Sequence, residues 1–212
     1  AFGGVLVANR PIDVATAREI DKLFLEVLIA PDFEAEALTI LEGKKNRILL
    51  RQKEAIDARW SYRSMLGGVL AQETDRAVET TAEMKPVTKV APTAEELTDL
   101  VFATKLVKHS KSNAIVLAKG GQLIASGVGQ TSRVDALKQA IEKARHFGFD
   151  LKGAVLASDA FFPFDDCVTL AAEAGITAIA QPGGSVRDAD SIAAADRLGI
   201  AMVMTGVRHF KH

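Results

Sequence analysis

The chain has 212 residues, 48% of them hydrophobic and 25% charged, with Lys plus Arg at 26 against Asp plus Glu at 27. That composition suits one globular domain or two small ones with a real core, and a formal charge of −1 leaves no global basic field to hold nucleic acid. The single cysteine, Cys167, excludes an internal disulfide framework and a Cys-rich zinc site, and no apolar run reaches the ~18 residues of a membrane span. The opening Ala1-Phe2-Gly3-Gly4 has neither a Met nor the layout of a signal peptide. It reads as the middle of something longer, in a reducing, cytoplasmic setting.

In chain order, residues 2–8 form an apolar run with two glycines, predicted as a strand. Asp13 then caps a predicted helix carrying Ala17, Ile20, Phe24, Val27 and Leu28 at helical spacing, ended by Pro31. Residues 33–45 read as a second helix and 47–50 as a short strand. Residues 61–72 look extended, with Gly67-Gly68 as a bulge or a close backbone approach. Residues 73–92 are polar, carry Pro86 and Pro92, and read as a connection between halves.

The second half is more regular. Thr93 opens a helix to about Lys108, with Glu96 in the capping-box position. Residues 113–118 and 122–127 flank Lys119-Gly120-Gly121, a hairpin signal. Residues 132–147 form an amphipathic helix through Val134, Leu137, Ile141 and Ala144. Then strand and helix alternate: 154–157, 165–174, 176–180, 188–198 and 200–204. These strands are continuous apolar runs, as in buried parallel sheets. A hairpin feeding such a run gives the expected fold class, α/β with a mixed β-sheet covered by helices.

In open α/β sheets, ligands bind beyond the carboxyl ends of parallel strands. Three loops follow such ends. Ser158-Asp159-Ala160-Phe161-Phe162-Pro163-Phe164-Asp165-Asp166 offers either an apolar wall with carboxylates for a polar heterocycle, or aromatics that plug the sheet edge with Asp165 as a helix cap. Gln181-Pro182-Gly183-Gly184-Ser185 offers free backbone N–H groups for an anion, or an ordinary turn. The 205–212 segment carries Arg208, His209, Lys211 and His212; Arg grips phosphate bidentately, and the plain alternative is a solvated tail. A fourth stretch, Gly127-Val128-Gly129-Gln130-Thr131-Ser132-Arg133, opens a helix but lacks the third glycine of a dinucleotide fingerprint. Arg133 there opposes the helix dipole unless it reaches an anion, whereas Lys108-His109 ends a helix and complements the dipole.

With these motifs on the page, the sequence resembles the transformylase part of the bifunctional purine-biosynthesis enzymes, a formyltransferase for aminoimidazole-carboxamide ribotide (AICAR) fused to inosinate cyclohydrolase. The resemblance runs in order through Ala1-Phe2-Gly3-Gly4, residues 24–31, Lys111-Ser112-Asn113-Ala114-Ile115, residues 127–133, residues 158–164, residues 181–185 and Arg208-His209-Phe210-Lys211-His212. It implies a cytidine-deaminase-like fold without zinc, which suits a chain with no His-x-Glu and no Pro-Cys-x-x-Cys. It implies formyl transfer from 10-formyltetrahydrofolate, as cosubstrate, to the 5-amine of AICAR, with no metal, in a homodimer whose sites lie at the subunit interface.

By the same resemblance, Phe2, Gly3, Glu26, Asn113, Arg133 and Arg208 match contacts to the nucleotide, and Phe161, Asp166, Ser185 and Val186 match the folate region. His212 is the family's usual last residue. The family's catalytic Lys-His pair lies in a Lys-His-x-Asn-Pro-x-Gly segment that these residues do not contain, so no catalytic residue is assigned and Lys108-His109 is not given that role. The cyclohydrolase domain is likewise absent from the sequence. The expected organisation is a C-terminal piece of the first transformylase subdomain over 1–75, a connection over 76–92 and the second subdomain over 93–212. The expected alternatives are a catalytically silent nucleotide- and folate-binding or dimerisation module, and an unrelated nucleotide-binding α/β domain.

Overall fold

The computed structural model describes residues 3–54 and 58–211. They form two compact units, Ala1–Thr74 and Asp75–His212.

The first unit alternates strand and helix: β1 (Gly4–Val7), α1 (Val14–Asp21), β2 (Leu25–Ala30), α2 (Ala35–Glu42) and β3 (Ile48–Arg51). The three strands are parallel in the order β1-β2-β3. Ile12, Ala17, Leu25, Leu28, Ala30, Ala37 and Leu41 make its core. The predicted helix running to Pro31 is corrected here. It stops at Asp21, and residues 25–30 are the central strand. The apolar spacing of Phe24, Val27 and Leu28 fits a helix as well as a strand. Parallel pairing on both sides of Leu-Glu-Val-Leu-Ile-Ala decides for the strand, where β-branched Val27 and Ile29 sit comfortably. An antiparallel hairpin follows, β4 (Trp60–Met65) and β5 (Gly68–Glu73). Nothing lies within 4 Å of a side chain built at Gly67 or Gly68, so these glycines serve the turn and admit no close approach.

The second unit holds a six-stranded mixed sheet in the order β6-β11-β10-β9-β7-β8. Its strands are β6 (Lys85–Pro86), β7 (Ile115–Lys119), β8 (Gln122–Gly127), β9 (Val155–Ser158), β10 (Ala178–Gln181) and β11 (Ala201–Met204). β9, β10 and β11 are parallel; β7 runs against both β8 and β9, and β6 against β11. Residues 76–92, read from the sequence as a connection, belong to this unit and supply β6.

Helices cover both faces. α3 (Ala94–Lys108) lays Leu100, Ala103 and Val107 on a face of small side chains, including Ala118, Ala157, Ala178, Ala180 and Ala201. α4 (Arg133–His146), α5 (Asp166–Ala174) and α6 (Asp188–Leu198) cover the other face, with Ile115, Leu117, Leu156, Ile179 and Met202 beneath them. Strand side chains alternate between the faces, so Ile115 and Leu117 face one layer and Val116 and Ala118 the other. Thr93 and Glu96 form the anticipated capping box on α3. The β7–β8 turn uses Gly120 and Gly121 at φ +59 and +70, the left-handed conformation a two-residue hairpin requires. Both turn amides donate to the Asp99 carboxylate of α3, at 2.7 Å each. Among the described residues, no helix is long and apolar enough to cross a membrane.

Candidate functional site

Strand direction brings the second unit's motifs to one edge of the sheet. The loops after β9, β10 and β11 leave the carboxyl ends of parallel strands. β7 pairs antiparallel with β9, Ile115 opposite Ser158, so Asn113 enters at that edge too. β8 pairs antiparallel with β7, Gly127 opposite Ile115, and therefore delivers residues 128–133 to the same place.

Arg133 and Asn113 meet there. The Arg133 guanidinium donates to Asn113 Oδ1 at 2.9 Å, to Asp159 Oδ1 at 2.9 Å and to Ser158 Oγ at 3.0 Å, with a longer contact of 3.4 Å to Ala160 O. Asp159 is the anion that offsets the unfavourable dipole at this helix start, where Ser132 caps α4 through Asp135 N. The Asp159 carboxylate also accepts from Ala114 N at 3.1 Å, and its Oδ2 has no partner among the described residues. Burial pushes the Arg133 guanidinium below its usual value, and the Asp159 charge works against that shift. Two of the five N–H groups of Arg133 are left without a protein acceptor among the described residues.

The three phenylalanines of the 159–165 loop divide. Phe162 is completely buried in the core, and its N–H donates to the buried amide Oε1 of Gln181 at 2.8 Å. Phe161 is half-buried beneath Arg208, whose guanidinium carbon lies 4.7 Å from the ring centre. Phe164 is exposed, with Arg187 at 5.1 Å. One ring thus plugs the core and two remain at the surface. Asp165 makes no side-chain cap bond, which corrects its expected role; only its carbonyl joins the helix, accepting from Thr169 N. Asp166 is exposed, and its Oδ1 accepts from Cys167 N at 2.7 Å.

The Gly-rich turn needs a correction. Its amides are not free: Gly184 N donates to Asp188 Oδ2 at 2.7 Å and Ser185 N to Asp188 Oδ1 at 3.2 Å. The chain's own carboxylate occupies the place proposed for an anion. Ser185 is half-buried and Val186 is fully exposed beside it. Arg208 reaches this turn through Gly184 O at 3.5 Å. Arg208, Phe161 and the turn thus form one surface, while Asn113, Arg133 and Asp159 form a buried network.

In the first unit, Gly3 and Glu26 are neighbours: a side chain built on Gly3 would lie 3.4 Å from Glu26 Oε2. A cavity of about 570 Å3 there is lined by Phe24, Glu26, Lys44, Lys45 and Arg47, among others. Phe2 and His212 lie outside the described residues.

Sequence reasoning missed Asp159 as the partner of Arg133, Gln181 as the buried support of the 159–165 loop, and Asp188 as the filler of the turn. The available signal was position. A polar residue at the end of a fully buried strand, as Gln181 is, or directly after one, as Asp159 is, must find a buried partner.

Comparison with known proteins adds the following. Residues 1–143 match the model of the family described as AICARFT/IMPCHase bienzyme. The bifunctional purine biosynthesis protein PurH of Bacteroides thetaiotaomicron is 63% identical over 212 residues, covering 100% of this chain and 42% of the relative. The PurH proteins of Thermoanaerobacter sp. and Aquifex aeolicus are 54% and 52% identical, with 41% of each relative covered. The chain thus spans well under half the length of these curated relatives. Among solved structures, a diaminohydroxyphosphoribosylaminopyrimidine deaminase/5-amino-6-(5-phosphoribosylamino)uracil reductase from Thermotoga maritima matches at TM-score 0.35 and 27% identity, over 51% of this chain and 34% of that one. A dCMP deaminase from cyanophage S-TIM5 matches at TM-score 0.36 and 18% identity, over 47% and 88%.

Proposed function

This chain belongs to the AICARFT/IMPCHase bienzyme family, and from that premise we propose that it supplies part of the site at which a formyl group passes from 10-formyltetrahydrofolate to the 5-amine of AICAR, in the cytoplasm and within a homodimer. In this reading Arg208, Asn113, Arg133, Glu26, Gly3 and Phe2 bind the nucleotide. Phe161, Asp166, Ser185 and Val186 bind the folate.

The observation that supports it is the surface where Arg208 lies over Phe161 and against the Gly-rich turn. An aromatic face held half-buried suits a flat pterin, and a guanidinium beside it suits an anionic nucleotide. Because Asp188 already fills the turn, the turn offers a ligand carbonyl and hydroxyl groups rather than a second anion site.

Formyl transfer needs a base for the weakly nucleophilic amine and donors for the tetrahedral oxyanion. A general base contributes about 10²–10⁴-fold. The family's Lys-His pair is not among these residues, so they bind and orient substrates while the proton transfer is supplied from elsewhere in the enzyme. The test is calorimetry with AICAR monophosphate and a folate analogue, alongside an assay of tetrahydrofolate release. Arg208→Ala is expected to weaken nucleotide binding by about 1.5–3 kcal/mol. Phe161→Ala is expected to weaken folate binding more than nucleotide binding. Binding without turnover supports the reading. Unchanged nucleotide affinity in Arg208→Ala removes Arg208 from it, and turnover by these residues alone overturns the division of labour.

A further inference from the structure

A group of charged side chains in the second unit, outside those loops, surrounds His209. Its ring is buried, with Nδ1 2.6 Å from Asp75 Oδ2 and Nε2 2.8 Å from Glu79 Oε1. A neutral imidazole carries one N–H and can donate to only one of them; donating to both takes the imidazolium. Lys108 completes the group. Its buried ammonium lies 3.7 Å from Asp75 Oδ1 and donates to Ala77 O. Two carboxylates thereby face the imidazole and an ammonium. Charged and titratable neighbours include Arg76 and Arg208, next in the chain to Asp75 and His209, Lys211 on the same segment, and His109 beside Lys108, whose titration is depressed by burial and by the Lys108 and Lys211 charges. Glu79 Oε2 is buried with no hydrogen-bond partner among the described residues, so this buried carboxylate leans on the group that meets its other oxygen, the His209 ring.

The bracket connects directly to the candidate site. The His209 backbone N–H donates to Asp159 O at 3.0 Å, and Asp159 holds Arg133. The preceding residue is Arg208, over Phe161. We propose that His209 is a positioning residue: its imidazolium, gripped by Asp75 and Glu79, fixes the 205–211 segment so that Arg208 stays over Phe161, and loss of the ring proton loosens that placement. The consequence for nucleotide binding rests on the role proposed above for Arg208; the placement itself does not.

The first readout is therefore ligand-free. The Arg208 guanidinium carbon lies over the Phe161 ring, so in NMR of the whole chain the guanidinium protons are expected to carry a ring-current shift. Long-range 1H–15N spectra report the His209 ring directly. With a carboxylate facing each ring nitrogen, both His209 nitrogens are expected to carry a proton in the closed bracket. Raising the pH until the ring proton leaves is expected to collapse the Arg208 shift in the same step. Glu79→Gln preserves shape and lets a neutral ring keep a bond to the amide, so the Arg208 shift should survive there to higher pH than the ring proton does. In the wild-type chain, a ring with a single proton beside an undiminished Arg208 shift, or an Arg208 shift unmoved as the proton leaves, overturns the proposal.

The second readout is AICAR monophosphate affinity. His209→Gln is expected to weaken it about fivefold in the wild-type background and not at all in Arg208→Ala, since coupled residues are non-additive. Additive losses overturn the proposal. If Arg208→Ala alone leaves the affinity unchanged, the nucleotide reading fails, and the NMR result still decides the positioning role.

Discussion

Arg133 and Asp159 form an ion pair of 2.9 Å between side chains only 6% and 0% exposed. Removing one partner of such a pair strands the other charge in the interior, and typical losses are about 3–5 kcal/mol. Arg133→Ala is accordingly expected to lower unfolding stability by that amount, measured by urea denaturation. A loss under ~1 kcal/mol, the range of exposed pairs, would show that water reaches Asp159 and that the network is open. The same network explains why Arg133 is poorly suited to act as a free phosphate clamp: most of its donors are already engaged.

Gly127 ends β8 against α4, where an added Cβ would lie 1.8 Å from Ala136 O. Backbone must move to admit it. Gly127→Ala is expected to destabilise by about 3 kcal/mol or more, the upper end of overpacking costs. Gly67→Ala meets nothing within 4 Å and is expected to be nearly silent. Thermal unfolding of the two variants side by side checks the contrast, and similar shifts would refute it.

The capping box joins local and tertiary structure. Glu96 accepts from Thr93 N at 2.8 Å and from the Thr177 hydroxyl at 2.6 Å. Thr93→Ala is expected to cost about 0.5–2 kcal/mol. Burial raises the Glu96 carboxyl, but the bonds from Thr177 and Thr93 outweigh it and hold it below its ordinary value. A depressed carboxylate contributes stability that is fully present above its unfolded value and is lost as pH falls through the folded one. Denaturation midpoints of Thr177→Val and wild type should therefore converge as the pH drops below ~4 and stay apart above ~5. A constant difference down to pH 3 would place the effect elsewhere.

Burial, with Asp166 nearby, pushes the Cys167 thiol up to about 12. At neutral pH it is a thiol, not a thiolate, and the thiolate is the nucleophile. Iodoacetamide at pH 7.5 is expected to leave the native chain unlabelled and to label it once urea unfolds it, as mass spectrometry would report. Native labelling would mean that α5 opens readily.

Most of the second unit was legible because its signals are local. The Thr93–Glu96 box, the Gly120-Gly121 turn and the apolar strand runs each specify their element within a few residues. The first unit was less so. Residues 25–30 are a strand because β1 and β3 pair with them on both sides, and that information lies at distant positions. The candidate site divides the same way. The loops that reach the sheet edge follow from the order of strands. Which donors are already consumed does not, since Asp188 in the turn and Asp159 under Arg133 act through side-chain geometry that spacing does not encode.

The bracket around His209 joins positions 134 and 130 residues apart, and β6 pairs with β11 across a similar interval. At synthesis rates of about 5–20 residues per second, Asp75 and Glu79 wait on the order of ten seconds before His209 exists. The second unit therefore cannot close progressively from its start. While a ribosome is still translating residues 93–200, the segment before them is without its partners, and the sheet edge at β11 is still to be made. Closure comes late, when residues 201–209 are made and meet residues 75–86.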